Sequence, residues 1–350
     1  MKYLFLIASV LLFALKGHTQ TKPDFFPEDV TTQGGELRCF CKPGVENRSR
    51  AKGLELSYGY FGGGQFKAED TILTQPLTEF RNLSYVKFDI KLPVINKESF
   101  KLLLNYSYFS ELYDIKRFGA DFSEAFRELN DSALKSNSLG VIVSKPLGEF
   151  NYLAFRFKLS ANGNFGGLGR FFEDRYAIYK FYGIYAIKPS DDFEWGVGLA
   201  YSKSFRRNNL IPFLLFNRNF NDKWGIESVF PANAFLRYNL GDGDILLFGV
   251  EYDSQSYRVS GPDAGSPSGL FDYAINHSEF LISTRVEHQF ARWIWGNFKA
   301  GYRFNFSTDF EAKSPGTTPF NVEQSNALFF QVGFFISPPD DLLHRSSSGQ

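Results

Sequence analysis

Histidine is the side chain best suited to take up and release a proton near neutral pH, and this chain holds four: His18, His277, His288 and His344. His277 adjoins Ser278, the nearest approach to a serine–histidine pair that could activate a hydroxyl for acyl transfer. Strand neighbours point to opposite faces, so that pair cannot form the needed hydrogen bond. His288 shares the phase of Val286 and Phe290, which suits an interface, and His344 lies in a polar C-terminal stretch. Gly265–Gly269 carries Pro267 at its centre and is no serine elbow. Gly241-Asp242-Gly243-Asp244 reads as a turn rather than a calcium loop. No catalytic residue and no cofactor is therefore assigned. A lipid hydrolase or acyltransferase stands as the most distant alternative.

Cys39 and Cys41 are the only cysteines. In an extended strand, i and i+2 Cα atoms lie roughly 6.5–7 Å apart, at or past the limit for a disulfide. A bridge between them needs a tight turn, and an intermolecular bridge is the other reading. A zinc site would need about four ligands, and neither His nor a third Cys lies nearby.

The remaining chemistry lies in charged residues that alternate with apolar ones. Val86, Phe88, Ile90 and Leu92 interleave with Lys87, Asp89 and Lys91. Leu153, Phe155, Phe157 and Leu159 interleave with Arg156 and Lys158. Phe280, Ile282, Thr284 and Val286 interleave with Glu279, Arg285 and Glu287, and Phe298, Ala300, Tyr302 and Phe304 with Lys299 and Arg303. Period two marks strands with one apolar and one polar face. If the polar phase faces inward, the interior is lined by Arg81, Lys87, Asp89, Lys91, Lys101, Arg156, Lys158, Glu227, Arg237, Glu251, Glu279, Arg285, Glu287, Lys299 and Arg303. Their basic excess would favour anions in a water-filled pore; the alternative is that they pair and fill the interior.

These residues need long strands to position them. Residues 1–19 read as a signal peptide: Lys2, an apolar run Tyr3–Leu15, then small residues Gly17 and Thr19 before a cut near residues 19–20. The run is too short to cross a bilayer, which takes about 20 residues. Removing Lys2 and Lys16 from 38 bases leaves 36 against 38 acids, a balance that argues against nucleic acid. The 41 Phe and 18 Tyr against a single Met favour strands and membrane interfaces over a helical core. Residues 20–53 form an N-terminal segment long enough to serve as a short plug, 54–337 a barrel, and 338–350 a polar tail.

Within 54–337 the reading is an all-β, antiparallel, up-and-down transmembrane barrel of about 14 strands, 12–14 being the range. Strands are placed at 54–61, 79–94, 99–115, 135–145, 151–162, 174–188, 194–206, 210–220, 223–230, 234–240, 245–258, 278–290, 293–307 and 326–337. Short turns alternate with a set that includes long loops, as periplasmic turns alternate with extracellular loops in the outer membrane. Trp195, Trp224, Trp293 and Trp295 all fall beside short turns, which places them in one aromatic girdle. A short helix is expected at 123–130. Expected partners are outer-membrane lipid and the barrel-assembly machinery, after export. The leading function is a passive pore or transporter for small solutes; the alternative is a structural or ligand-binding barrel with a filled lumen, acting through its outer loops. A fourteen-strand transporter of hydrophobic compounds also fits the length, by analogy, and would seat an N-terminal segment in the barrel.

Two stretches, Lys188-Pro189-Ser190-Asp191-Asp192-Phe193-Glu194-Trp195-Gly196-Val197-Gly198-Leu199-Ala200-Tyr201 and Phe220-Asn221-Asp222-Lys223-Trp224-Gly225-Ile226-Glu227 with Leu236-Arg237-Tyr238-Asn239-Leu240, resemble a family of outer-membrane β-barrel proteins of unknown function typical of Bacteroidetes-type bacteria. The resemblance implies location and architecture for about residues 54 to 337, and no reaction. The polar tail after the last strand departs from the terminal aromatic common in such barrels.

Overall fold

The computed structural model describes residues 43–68, 78–97, 99–117, 123–166, 173–205, 208–241, 243–262, 269–313 and 319–338. The signal peptide, Cys39, Cys41 and the tail beyond 338 lie outside them. The strands are β1 (Leu54–Ala68), β2 (Thr78–Lys97), β3 (Phe100–Arg117), β4 (Leu134–Pro146), β5 (Asn151–Gly163), β6 (Ala177–Ser190), β7 (Phe193–Lys203), β8 (Asn208–Asn219), β9 (Trp224–Phe230), β10 (Asn233–Gly241), β11 (Asp244–Pro262), β12 (Leu270–Ala291), β13 (Ile294–Ala312), β14 (Phe320–Gln324) and β15 (Ala327–Ile336), with, among the described residues, one α-helix, α1 (Ser123–Asp131), and a 3-10 turn at Asp174–Tyr176 before β6. No helix among the described residues is long and apolar enough to cross a membrane.

Each strand pairs antiparallel with its sequence neighbour from β1 round to β13. The barrel closes through β13–β15 (Ile294↔Ile336) and β15–β1 (Leu54↔Ile336). β14 also lies between β13 and β1, as Thr308↔Val322 and Phe66↔Gln324. β14 and β15 are thus one wall strand interrupted at Ser325-Asn326, and the wall has fourteen positions. A closed sheet leaves no edge with unpaired backbone groups.

The outer surface follows from the pleat. Leu56, Tyr58 and Tyr60 on β1, Val197, Leu199 and Tyr201 on β7, and Leu328, Phe330, Val332, Phe334 and Ile336 on β14–β15's wall position are exposed in register. Cross-strand aromatic pairs such as Phe155–Phe181 (6.1 Å) and Phe298–Phe330 (6.5 Å) stack on it. An apolar belt running round the whole wall has the hydrocarbon of a bilayer as its natural solvent.

Several strands outrun the sequence expectation at the long-loop end. β1 continues past 61 to Ala68, β12 begins at Leu270 rather than 278, and β13 continues past 307 to Ala312. The cause is a change in what the interior holds. On β12 the inward positions are Arg285 and Glu287 near the short-turn end, but Phe271, Tyr273 and Ile275 at the other. There both faces lose the simple contrast that marks a strand, so alternation fades while pairing persists. α1 occupies this upper interior: Phe126 meets Phe66 (5.0 Å) and Phe310 (5.6 Å), and Ile115 N–H donates to Asn130 Oδ1 (2.9 Å). The wall is low opposite, where β9 has 7 residues and β10 has 9. Over that gap the tall β11 reaches β5, with Arg258 paired to Gly163 and Asn162 Nδ2 donating to Ser256 O (3.0 Å).

Candidate functional site

Most of the residues read as lumen-lining do turn inward, and they meet one another. Lys87 lies 3.2 Å from Glu55 and 3.1 Å from Asp89. Arg156 donates to Asn105 (2.9 Å), and Arg237 to Glu227 (3.1 Å) and Asn219 (2.6 Å). Arg285 lies 3.5 Å from Glu287, Lys299 pairs with Glu251, and Arg303 lies 3.6 Å from Glu279 and 4.3 Å from the Phe61 ring centre. Lys91 and Lys101 turn inward near the short-turn end, and Lys158 faces Lys180 directly across β5–β6. Glu194, Arg237, Glu287 and Arg303 are each 0 % exposed. Side chains lining a wide water-filled pore would not be so sealed.

Arg81 is a correction. Its side chain is 63 % exposed and pairs on the outside with Asp114 (3.3 Å). The β2–β3 register shifts between Phe80 and Asn82, and this bulge reverses the phase: Leu83 and Phe80 both point inward while Arg81 is turned out. The anion preference weakens with it. Glu55, Glu111, Glu194 and Asp253 also face inward, as do Lys180 and Lys188, so the basic excess nearly disappears. All four missed acids sit in legible alternation, Glu194 for instance between Phe193 and Trp195.

The girdle also needs correcting. Trp195, Trp224 and Trp293 are 37–41 % exposed, but Trp295 is 2 % exposed and faces inward. Counting back by twos from the inward Lys299 of β13 gives the same answer. Nearness to a short turn fixes height in the membrane, whereas the pleat decides the face.

The inward mouth at the short-turn end is filled by residues 43–53. Gly44 N–H donates to Glu194 Oε1 (2.7 Å), which also accepts from Tyr152 Oη–H (2.8 Å); Asn217 Nδ2 donates to the other oxygen (2.7 Å). Ser49 N–H donates to Glu227 Oε1 (2.8 Å), and its hydroxyl donates to Glu227 Oε2. Arg50 N–H donates to Glu287 Oε2 (3.4 Å), and Lys52 Nζ lies 2.8 Å from Glu55 Oε1. Asn219 and Asn239 donate to the carbonyls of Glu46 (2.8 Å) and Asn47 (3.0 Å). The segment thereby touches β7, β8, β9, β10, β12 and β1, from one side of the mouth to the other. Its path turns on two left-handed residues, Gly44 (φ 91°) and Asn47 (φ 54°). The positive φ of Gly44 favours glycine there, while the nearby Arg48 guanidinium is the flexible end of a side chain that can move aside.

His277 and Ser278 lie on opposite faces, as the strand geometry requires. His277 Nδ1 is 2.9 Å from Thr308 Oγ1 and Nε2 is 2.8 Å from Glu279 Oε2. Thr308 is 3 % exposed and register-paired with buried Val322, so this hydroxyl presents no surface to a substrate and the chain of bonds ties β12 to β13. His288 points outward at the rim, bonded to Asp244 (2.7 Å) and edge-on to Phe290 (4.9 Å). Among the described residues no cluster of His, Cys, Asp or Glu could hold a metal ion.

No family model and no curated protein matches the chain. Among solved structures it is similar to a FadL homologue of Pseudomonas aeruginosa (11 % identity, 81 % of this chain and 90 % of that one, TM-score 0.41). It is also similar to an outer membrane channel of Pseudomonas putida F1 (10 %, 83 % and 98 %, 0.38) and to the outer membrane protease OmpT of Escherichia coli (9 %, 83 % and 99 %, 0.30). At such identity and superposition these likenesses say nothing of what passes through this chain.

Proposed function

We propose that this chain is an outer-membrane barrel that carries small solutes, seen here closed by its own N-terminal segment. The short-turn end then faces the periplasm, where a segment preceding β1 starts, and the long-loop end faces the exterior. The resemblance of the Lys188–Tyr201, Phe220–Glu227 and Leu236–Leu240 stretches to outer-membrane barrels agrees with this placement.

The observation that carries the reading is the docking of residues 43–53 onto the carboxylates of Glu194, Glu227 and Glu287. A part meant only to fill the barrel would pack apolar groups into it, since an apolar core avoids the cost of burying charge. Here the contacts are charge-assisted hydrogen bonds from a chain that continues into β1, and such bonds can be broken and remade. The passive pore or transporter of the sequence reading is kept, with passage requiring the segment to leave the mouth. The second reading, a filled barrel acting through its outer loops, draws on the aromatic packing around α1. Swelling of liposomes carrying the full chain separates the two. Solute entry that rises when Gly44 is replaced by Ala supports transport; entry absent from both forms of well-folded protein supports the filled barrel.

A further inference from the structure

We infer that the wall beneath the segment is a binding site for an organic cation, and that Arg50 and Lys52 are its built-in occupants. The inference rests on the transport reading for its purpose, since it names the chemical class of the solute.

Glu55 of β1, Phe335 of β15 and Trp295 of β13 stand in one row across three adjacent strands, paired Glu55↔Phe335 and Trp295↔Phe335. The two rings stack at 6.1 Å with an 18° tilt. Glu287 of β12 stands beside them, two residues along the same face from the Trp295 partner Gln289. Into this corner the segment places two cations. The Arg50 guanidinium lies 4.9 Å from the Trp295 ring centre and the Lys52 ammonium 5.1 Å from that of Phe335. Lys52 is also 2.8 Å from Glu55 and 3.9 Å from Glu287.

Two aromatic faces and two carboxylates converging on one small volume make a receptor for guanidinium or ammonium groups, because the ring quadrupole and the full negative charges attract the same ion. Wall cations reach the same carboxylates. Lys87 is shared between Glu55 and Asp89, and Arg285 lies by Glu287; the next inward base of β2, Lys91, is one pleat nearer the mouth. All four receptor residues sit on barrel strands, whereas both cations sit on the docked segment. When the segment withdraws, the receptor stays behind with its geometry intact. A solute bearing a guanidinium or ammonium head competes for the same place.

The test is titration calorimetry of the full chain in detergent micelles with arginine amide as probe, each variant checked for the heat-dependent gel shift of a folded barrel. Removing the built-in charges in R50Q/K52Q should tighten binding about tenfold, since the competing contacts are lost. W295L, which leaves every charge in place, should weaken binding about tenfold, and E55Q/E287Q should remove it. A purely structural segment predicts the opposite sign for R50Q/K52Q, and weaker or unchanged binding in that variant would overturn the inference. So would equal heats from sodium chloride alone, or no effect of W295L. Binding as described without solute flux in liposomes upholds the site and removes the transport reading.

Discussion

Ser49 and Glu227 are 178 positions apart in the sequence, yet the backbone N–H and the hydroxyl of the serine donate to the two oxygens of one carboxylate. The same Glu227 accepts from the fully buried Arg237. The clamp that holds the segment is therefore built on a charge pair that already belongs to the wall. A consequence can be read by protease. Trypsin cuts after Arg48, Arg50 and Lys52 only if the segment leaves the mouth. The wild-type chain in micelles should resist cleavage there, and S49A should be cut about tenfold faster, the loss of one hydrogen bond to a charged acceptor. Equal rates would show that the bond does not hold the segment.

Replacing Gly44 by Ala should undock the segment without harming the barrel. The left-handed backbone at Gly44 opposes a Cβ. The expected result is faster tryptic cleavage at Arg48 with an unchanged unfolding temperature of the barrel. A fall in that temperature would mean the segment is part of the barrel's core.

Brominated lipid quenches tryptophan that touches acyl chains. In single-tryptophan variants, fluorescence from Trp195, Trp224 and Trp293 should be quenched and that from Trp295 should not. Quenching of Trp295 would return it to the girdle and remove it from the mouth.

The two arginines of β2 and β10 should respond very differently to substitution. Arg81 and Asp114 are an exposed pair, and R81Q should change stability by no more than about 1 kcal/mol. R237Q leaves Glu227 buried without its cation, at a cost of about 3–5 kcal/mol. Urea unfolding from liposomes, followed by tryptophan fluorescence, measures both.

The wall was legible because lipid and interior demand opposite chemistry on alternate residues, as in Val86, Phe88 and Ile90 against Lys87 and Asp89. The helix at Ser123–Asp131 was legible too, from Ser123 as an N-cap in a long loop. Legibility failed where that contrast stops. Phe271, Tyr273 and Ile275 are apolar and inward, so the first turns of β12 read as loop. The bulge at Arg81 inverts the phase with no mark in composition, while Trp295 was misplaced by counting distance to a turn and ignoring parity. Lys52 and Glu55 are close in sequence, but nothing local shows that Arg50 reaches Trp295 or that Lys52 approaches Glu287. That relation is made by closure of the barrel, which brings β12, β13, β15 and β1 side by side.

Single-channel recording of the full chain in a planar bilayer tests the closed-barrel account most directly. The account predicts that the wild-type protein is silent for most of the record, with rare openings that G44A makes about tenfold more frequent, as loss of about 1.4 kcal/mol of docking implies. Stable, ohmic conductance from the wild-type chain, the same in G44A, would contradict it.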